Sequence, residues 1–178
     1  MIAGFSWPWV SSKKPTHKDY KEFDIRIDGK NLKWNTEPSN WINSENAIKE
    51  VGCIHTTQGY DLNYSGIIFG NEISYDPVKK ELFVIPENYH DKKGKSGVQD
   101  VEVLKEYIIN IYKTLMYRGI RGTYIYACDK NLRDYLKKFI NSFVPEPQVK
   151  ILTLEQVKPY ETAVPLYDIY VAAGDFNV

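Results

Sequence analysis

The chain has 178 residues, with 23 basic and 23 acidic side chains and ample apolar and aromatic content. That length suits one domain with a real core, the apolar content excludes a disordered chain, and the charge balance confines any polyanion site to a local patch. No apolar run approaches the ~20 residues a bilayer span needs, and the start, Met1-Ile2-Ala3-Gly4-Phe5-Ser6-Trp7, lacks the basic and long apolar regions of a secretion signal.

Met1 to Val10 reads as a strand that begins abruptly, as in a fold entered part-way. Residues 11–22, rich in Ser, Lys and Pro, read as a loop. Phe23-Asp24-Ile25-Arg26-Ile27 alternates at period two, and Asp28-Gly29 marks a hairpin turn into Leu32-Lys33-Trp34. After a turn-rich stretch to Trp41, Ser44 is placed to cap a short helix ending near Glu50. Strands are expected over 51–56 and 65–70, two continuous apolar runs that fit a parallel sheet buried on both faces. Residues 72–76 and 81–85 read as an inserted hairpin turning at Asp76-Pro77, and 87–97 as a polar, basic loop.

A long helix is expected from about Gln99 to Tyr117. Val101, Leu104, Ile108, Ile111 and Leu115 form its apolar stripe, flanked by Tyr107 and Tyr112. A strand over 122–128 and a helix over about 130–143 follow. That helix would bury Leu132, Tyr135, Leu136, Phe139 and Phe143 and stop at Pro145. Strands alternating with helices imply an α/β domain with a mainly parallel sheet flanked by helices. It would span residues 1–145; residues 146–178, with a last strand at Ile151-Leu152, read as an extension or the start of a further module. The 14 tyrosines suit half-buried sheet packing more than base stacking. Cys53 and Cys128 sit in apolar runs away from any metal-spaced Cys or His. They read as free thiols of a reducing compartment, so a cytoplasmic protein without structural zinc is expected.

Two segments carry the chemistry. In Cys53-Ile54-His55-Thr56-Thr57-Gln58-Gly59-Tyr60-Asp61 an apolar strand ends in a polar hinge, and functional groups of parallel sheets gather at such strand ends. Gly59 allows close backbone approach. Gln58 offers a donor and an acceptor, and Asp61 can accept from a sugar hydroxyl. His55 and Thr56 can donate to a phosphate. The segment alone equally fits a plain polar turn with Gly for geometry. In Leu115-Met116-Tyr117-Arg118-Gly119-Ile120-Arg121-Gly122-Thr123-Tyr124-Ile125-Tyr126 a helix end carries two arginines before an apolar strand. A helix dipole favours cations there; a guanidinium aimed at a transferring phosphoryl group is the functional alternative.

In that order the two blocks resemble motifs V and VI of superfamily 1 helicases, and most closely the schlafen-group-3-like DNA/RNA helicase domain family. Gly52 through Asp61 is similar to the family's G-C-I-H-T-x-Q-G-x-E/D block, and Leu115 through Tyr126 to its L-x-x-R-G-x-K/R-G-T-Y-x-Y block. Ala3-Gly4-Phe5-Ser6-Trp7-Pro8-Trp9 and Trp34-Asn35 also resemble it, so the likeness covers about residues 1–145. Asp61 departs from the commoner Glu and Tyr60 from the commoner Leu. The resemblance implies a RecA-like second helicase domain. Arg118 would be the arginine finger reaching a γ-phosphate, and Arg121 an auxiliary phosphate contact. Gln58, Gly59 and Asp61 would lie on the nucleotide side, and His55, Thr56 and Thr57 on the nucleic-acid side. The implied partners are single-stranded or duplex nucleic acid and, in cis, a first domain holding most of the ATP and Mg²⁺.

That first domain's phosphate loop has no counterpart here. The lone Gly94-Lys95-Ser96 has Tyr89 where the first glycine of a Walker A loop should stand. The expected function is therefore the C-terminal half of an ATP-dependent helicase, inactive alone. A non-catalytic nucleic-acid or protein interaction module on the same fold is the alternative. A nuclease-like use of Asp61 and Glu72 lacks the acid-x-Lys spacing. In the tail, Val164-Pro165-Leu166-Tyr167-Asp168 and Val171-Ala172-Ala173-Gly174 resemble the start of LexA-like peptidase modules, without the Ser and Lys that cleavage requires.

Overall fold

The computed structural model describes residues 1–11 and 23–142. In chain order the strands are β1 (Ile2–Ala3), β2 (Ile25–Ile27), β3 (Lys30–Trp34), β4 (Glu50–Cys53), β5 (Leu62–Phe69), β6 (Ile73–Asp76), β7 (Glu81–Val84) and β8 (Gly119–Ala127); the helices are α1 (Val101–Met116) and α2 (Lys130–Leu136). Six strands form one sheet in the order β2-β3-β4-β1-β5-β8. All neighbours run parallel except β2, which turns back on β3. β6 and β7 form a separate antiparallel hairpin. The fold is thus mixed α/β with a mostly parallel sheet, an inserted hairpin and two helices.

Alternation along the central strands explains why both sheet faces are buried. Ile2 pairs with Gly52 and Ile67, and Ala3 with Cys53 and Ile68. Side chains point to opposite faces at successive residues. Ile2, Ile67 and Phe69 therefore pack in the cluster holding Leu104, Ile108, Tyr112 and Leu115 of α1. Ala3, Cys53 and Ile68 pack in a second cluster with Val51, Ile25, Trp34 and Trp7. α1 begins at Asp100, whose carboxylate accepts from the Glu102 amide at 2.8 Å. Tyr112, expected at the margin of the stripe, lies at its centre and stacks on Phe69 with ring centroids 4.0 Å apart. Val101 and Tyr107 are about half exposed instead.

Several expected boundaries move, each for a local reason. The opening strand shrinks to β1 because Ser6 folds back onto the Gly4 carbonyl. β4 ends at Cys53, whose carbonyl accepts from both the Thr56 and Thr57 amides. β8 starts at Gly119, earlier than residue 122, because Gly119 pairs with Leu62 across an irregularity before Tyr64. The helix expected to be capped by Ser44 is two short 3₁₀ turns, Trp41–Asn43 and Ala47–Lys49, and Ser44 closes the first of them. α2 tightens after Leu136, leaving Phe139 exposed. The Asp28-Gly29 turn has positive φ at both residues, 45° and 74°, as a two-residue hairpin requires. Burial pushes the Cys128 thiol up to about 11, so it stays protonated at neutral pH. The readings of the 11–22 loop beyond Ser11, of Phe143 and Pro145, of Ile151-Leu152 and of the tail through Gly174 lie outside the described residues. No helix among the described residues is long and apolar enough to cross a membrane.

The signature pair Trp34-Asn35 is structural. Trp34 is buried in the second cluster. The Asn35 side chain accepts from the Cys53 amide at 3.1 Å and so fixes the end of β4. Glu50, at the other end of β4, accepts from the Trp41 indole at 2.8 Å and the Thr36 hydroxyl at 2.8 Å. This draws the Trp41 ring onto Gly52, where a β-carbon would sit 2.3 Å from the ring. Gly52→Ala is expected to cost about 1–3 kcal/mol through overpacking, measured as a lowered urea midpoint with unchanged slope.

Candidate nucleotide and nucleic-acid site

The segment from Ile54 to Asp61 joins the carboxyl end of β4 to the amino end of β5, crossing the sheet beside β1. Because Ala3 is level with both Cys53 and Ile68, the crossing spans the distance from Ile68 down to Leu62, about 20 Å at ~3.3 Å per residue. Residues that are neighbours in sequence therefore stand at opposite edges of the sheet.

At the carboxyl edge, Thr57 is buried and its hydroxyl donates to the Cys53 and Ile54 carbonyls at 3.1 and 3.3 Å. Thr56 Oγ1 lies 3.1 Å from Cys53 Sγ. Both hydroxyls are engaged in shaping the turn. His55 instead projects outward, its side chain 56% exposed, with Nε2 3.1 Å from Asp91 Oδ2. Its ring centroid lies 5.6 Å from that of Phe5. Asp91 Oδ1 accepts from the Lys93 and Gly94 amides at 3.0 and 2.9 Å, so one buried carboxylate both folds the 91–97 loop and holds His55. Lys95 reaches the Tyr89 carbonyl at 2.8 Å. The lysine of Gly94-Lys95-Ser96 is thus turned into its own loop, in keeping with the sequence argument against a phosphate loop there.

At the amino edge Asp61 is exposed; Gln58 and Gly59 are exposed on the crossing before it, and Gln58 lines the same cavity as Ile54 and His55. Gly59 has φ of 79°, and a β-carbon there would meet nothing within 4 Å. Its glycine is thus explained by backbone conformation rather than by a close neighbour. Arg118 brackets Asp61: its Nη1 donates to the Tyr60 carbonyl at 3.4 Å, and its own carbonyl accepts from the Leu62 amide at 2.8 Å. The side-chain bond is long, so most of the five guanidinium donors remain available. Among the described residues neither Arg118 nor Arg121 is in an ion pair. Arg118 is half-buried and Arg121 exposed on β8. The fold thus gathers Asp61 and Arg118 at one edge and sets His55 apart at the other.

The nuclease-like pairing fails on the same geometry. Asp61 precedes β5, whereas Glu72 follows it and is fully buried. Tyr112 Oη donates to Glu72 Oε1 and accepts from the Gly70 amide at 3.0 Å. Burial holds the Glu72 carboxyl above the ordinary carboxylate range. Sequence reasoning missed Asp91, which nothing in the basic loop distinguishes, and the α1 residues that line the cavity beside His55.

A family model described as Schlafen group 3, DNA/RNA helicase domain matches residues 1–129. Uncharacterized protein YPL245W of Saccharomyces cerevisiae is 36% identical over 133 residues, which cover 65% of this chain and 29% of that protein. The chain therefore spans less than a third of this relative's length. No solved structure was found to match.

Proposed function

We propose, from the premise that this chain belongs to the Schlafen group 3 DNA/RNA helicase domain family, that it is the RecA-like second half of an ATP-dependent motor acting on nucleic acid. Family membership carries the use of a nucleoside triphosphate and a nucleic-acid partner in general terms. The finer reading rests on one observation: Arg118 grips the backbone on both sides of the exposed Asp61, its guanidinium at the Tyr60 carbonyl and its own carbonyl at the Leu62 amide, and that guanidinium is incompletely satisfied. A ribose hydroxyl could meet Asp61 while a γ-phosphate meets Arg118. Arg121 would add a second phosphate contact and Gly59 would border the nucleotide, whereas Gln58 lines the cavity beside His55. His55, at the far edge, would meet the nucleic-acid backbone, with Thr56 and Thr57 shaping the turn that presents it.

In this reading Mg²⁺ and the β- and γ-phosphates are held mainly by a separate Walker A domain. Mg²⁺ bound in that domain would supply charge neutralisation of the phosphoryl oxygens. This chain's contribution is the guanidinium, whose positive charge favours the same transition state. The crossing also links the two edges covalently, so a shift of Tyr60 toward a bound phosphate would pull on the turn that holds His55. The purified chain is expected to hydrolyse no ATP above background and to bind a fluorescent ATP analogue only weakly. Robust turnover by the chain alone, lost in Arg118→Ala, would overturn the divided-site reading.

A further inference from the structure

A cavity of about 360 Å³ opens beside His55, on the α1 side of the crossing. Ile54 and Ile111 supply an apolar lining, and Tyr107 of α1 presents a ring that is 47% exposed. Gln58 and Asn110 stand at the cavity, both exposed, and neither side chain makes a hydrogen bond to a described residue. The volume falls at the small end of ligand pockets, which range over ~300–1,000 Å³. Its chemistry is narrow: aliphatic walls, one aromatic face, and two free amides that can each donate and accept. A flat heteroaromatic ring with mixed donors and acceptors on its edge fits that description. Asn and Gln side chains read such edges in pairs of bonds. Lys92 and Lys93, exposed and next to the cavity-lining Asp91 and Gly94, put positive charge at the rim, where a phosphodiester would run.

We infer that this cavity receives an unpaired nucleobase of a single strand, with the base against Tyr107, its edge on Asn110 and Gln58, and the flanking phosphates on His55, Lys92 and Lys93. The inference rests on the nucleic-acid reading above and deepens it, since a base can enter only when unstacked and unpaired. A free nucleotide is the other source of the same ring. The strand is favoured because the exposed Lys92 and Lys93 at the rim offer charge to phosphates on either side of the base, whereas a mononucleotide carries phosphate on one side only.

The test is fluorescence anisotropy with a short labelled single-stranded DNA at low salt, using the whole chain. Tyr107→Ala and Asn110→Ala are each expected to weaken binding by roughly tenfold, and Tyr107→Phe to leave it unchanged. A strand with abasic sites should bind the native chain as weakly as the intact strand binds Tyr107→Ala. 2-Aminopurine in the intact strand should be quenched by the native chain and not by Tyr107→Ala. Both positions are exposed on α1, and far-ultraviolet circular dichroism confirms that the variants fold. Equal affinity for intact and abasic strands, with both alanine variants unaffected, would sink the pocket and spare the nucleic-acid reading. Failure of the native chain to bind any strand would sink both. Displacement of the 2-aminopurine strand by free AMP, with ordinary competition, would assign the cavity to a mononucleotide and overturn the inference.

Discussion

On the motor reading, Arg118→Ala, assayed together with a Walker A domain, is expected to lower nucleic-acid-stimulated ATP turnover by about 10³–10⁵-fold, with single-strand affinity unchanged. The size of the effect follows from what the side chain would do. A guanidinium placed against developing charge acts in the transition state, so kcat falls and KM moves little. Arg118→Lys should restore only a small part of the loss, because an ammonium cannot reproduce the planar fork of donors. The variant is expected to fold. The bond that ties Arg118 to β5 is made by its backbone carbonyl to the Leu62 amide, which alanine keeps, and only the long contact to the Tyr60 carbonyl is lost.

A helix-end cation predicts something different. Its removal would cost about 0.3–1 kcal/mol of stability and leave turnover within a few-fold. That outcome would return the chain to the interaction-module reading, in which the fold binds nucleic acid or protein without chemistry. Measuring kcat, KM and strand affinity on the same variant separates the two readings without reference to stability.

The residues that reveal the fold in the sequence are those whose neighbours lie close along the chain. The Asp28-Gly29 turn and the α1 stripe through Leu104, Ile108 and Leu115 depend on local geometry, and both are found near their expected places. The end of β4 and the start of β8 fall elsewhere than expected because distant partners help to set them: Asn35 fixes Cys53, and Leu62 draws in Gly119. The site shows the same division. The proximity of Arg118 to Asp61 was legible from motif order, but the distance from Asp61 to His55 was not. Sequence spacing cannot show that eight residues cross a sheet from edge to edge. Asp91 and Asn110 carry no local signature, since their importance comes from what the 89–94 loop and α1 are packed beside.

The second large effect is expected at Glu72, where pH and packing meet. Glu72→Gln should stabilise the chain at neutral pH and flatten its stability–pH profile, while Glu72→Ala should cost about 2–4 kcal/mol. Burial is the leading cause of the raised carboxyl pKa, so the folded chain keeps this proton where the unfolded chain, near the ordinary value of 4.5, has lost it. The folded state then binds more protons, and stability falls as pH rises. The contribution is whole below the unfolded value and is lost as pH rises through the raised folded value. Glutamine keeps the shape and an acceptor for Tyr112 Oη without an ionisable proton, so its advantage should widen from pH 5 toward pH 8. Urea unfolding of native and Gln chains across that range reads the difference directly; parallel profiles would show that Glu72 does not titrate as a buried acid. Alanine would leave a void between Gly4 and Gly70, which the carboxylate now fills at 2.8 and 2.4 Å from where their β-carbons would be. The consequence should reach the site. Glu72 underlies the Gly4–Ser6 turn, and the Phe5 carbonyl of that turn accepts from the His90 amide at 2.7 Å. Loosening it frees the loop that sets Asp91 against His55, so Glu72→Ala should weaken single-strand binding under conditions where the chain is still fully folded, and Glu72→Gln should not.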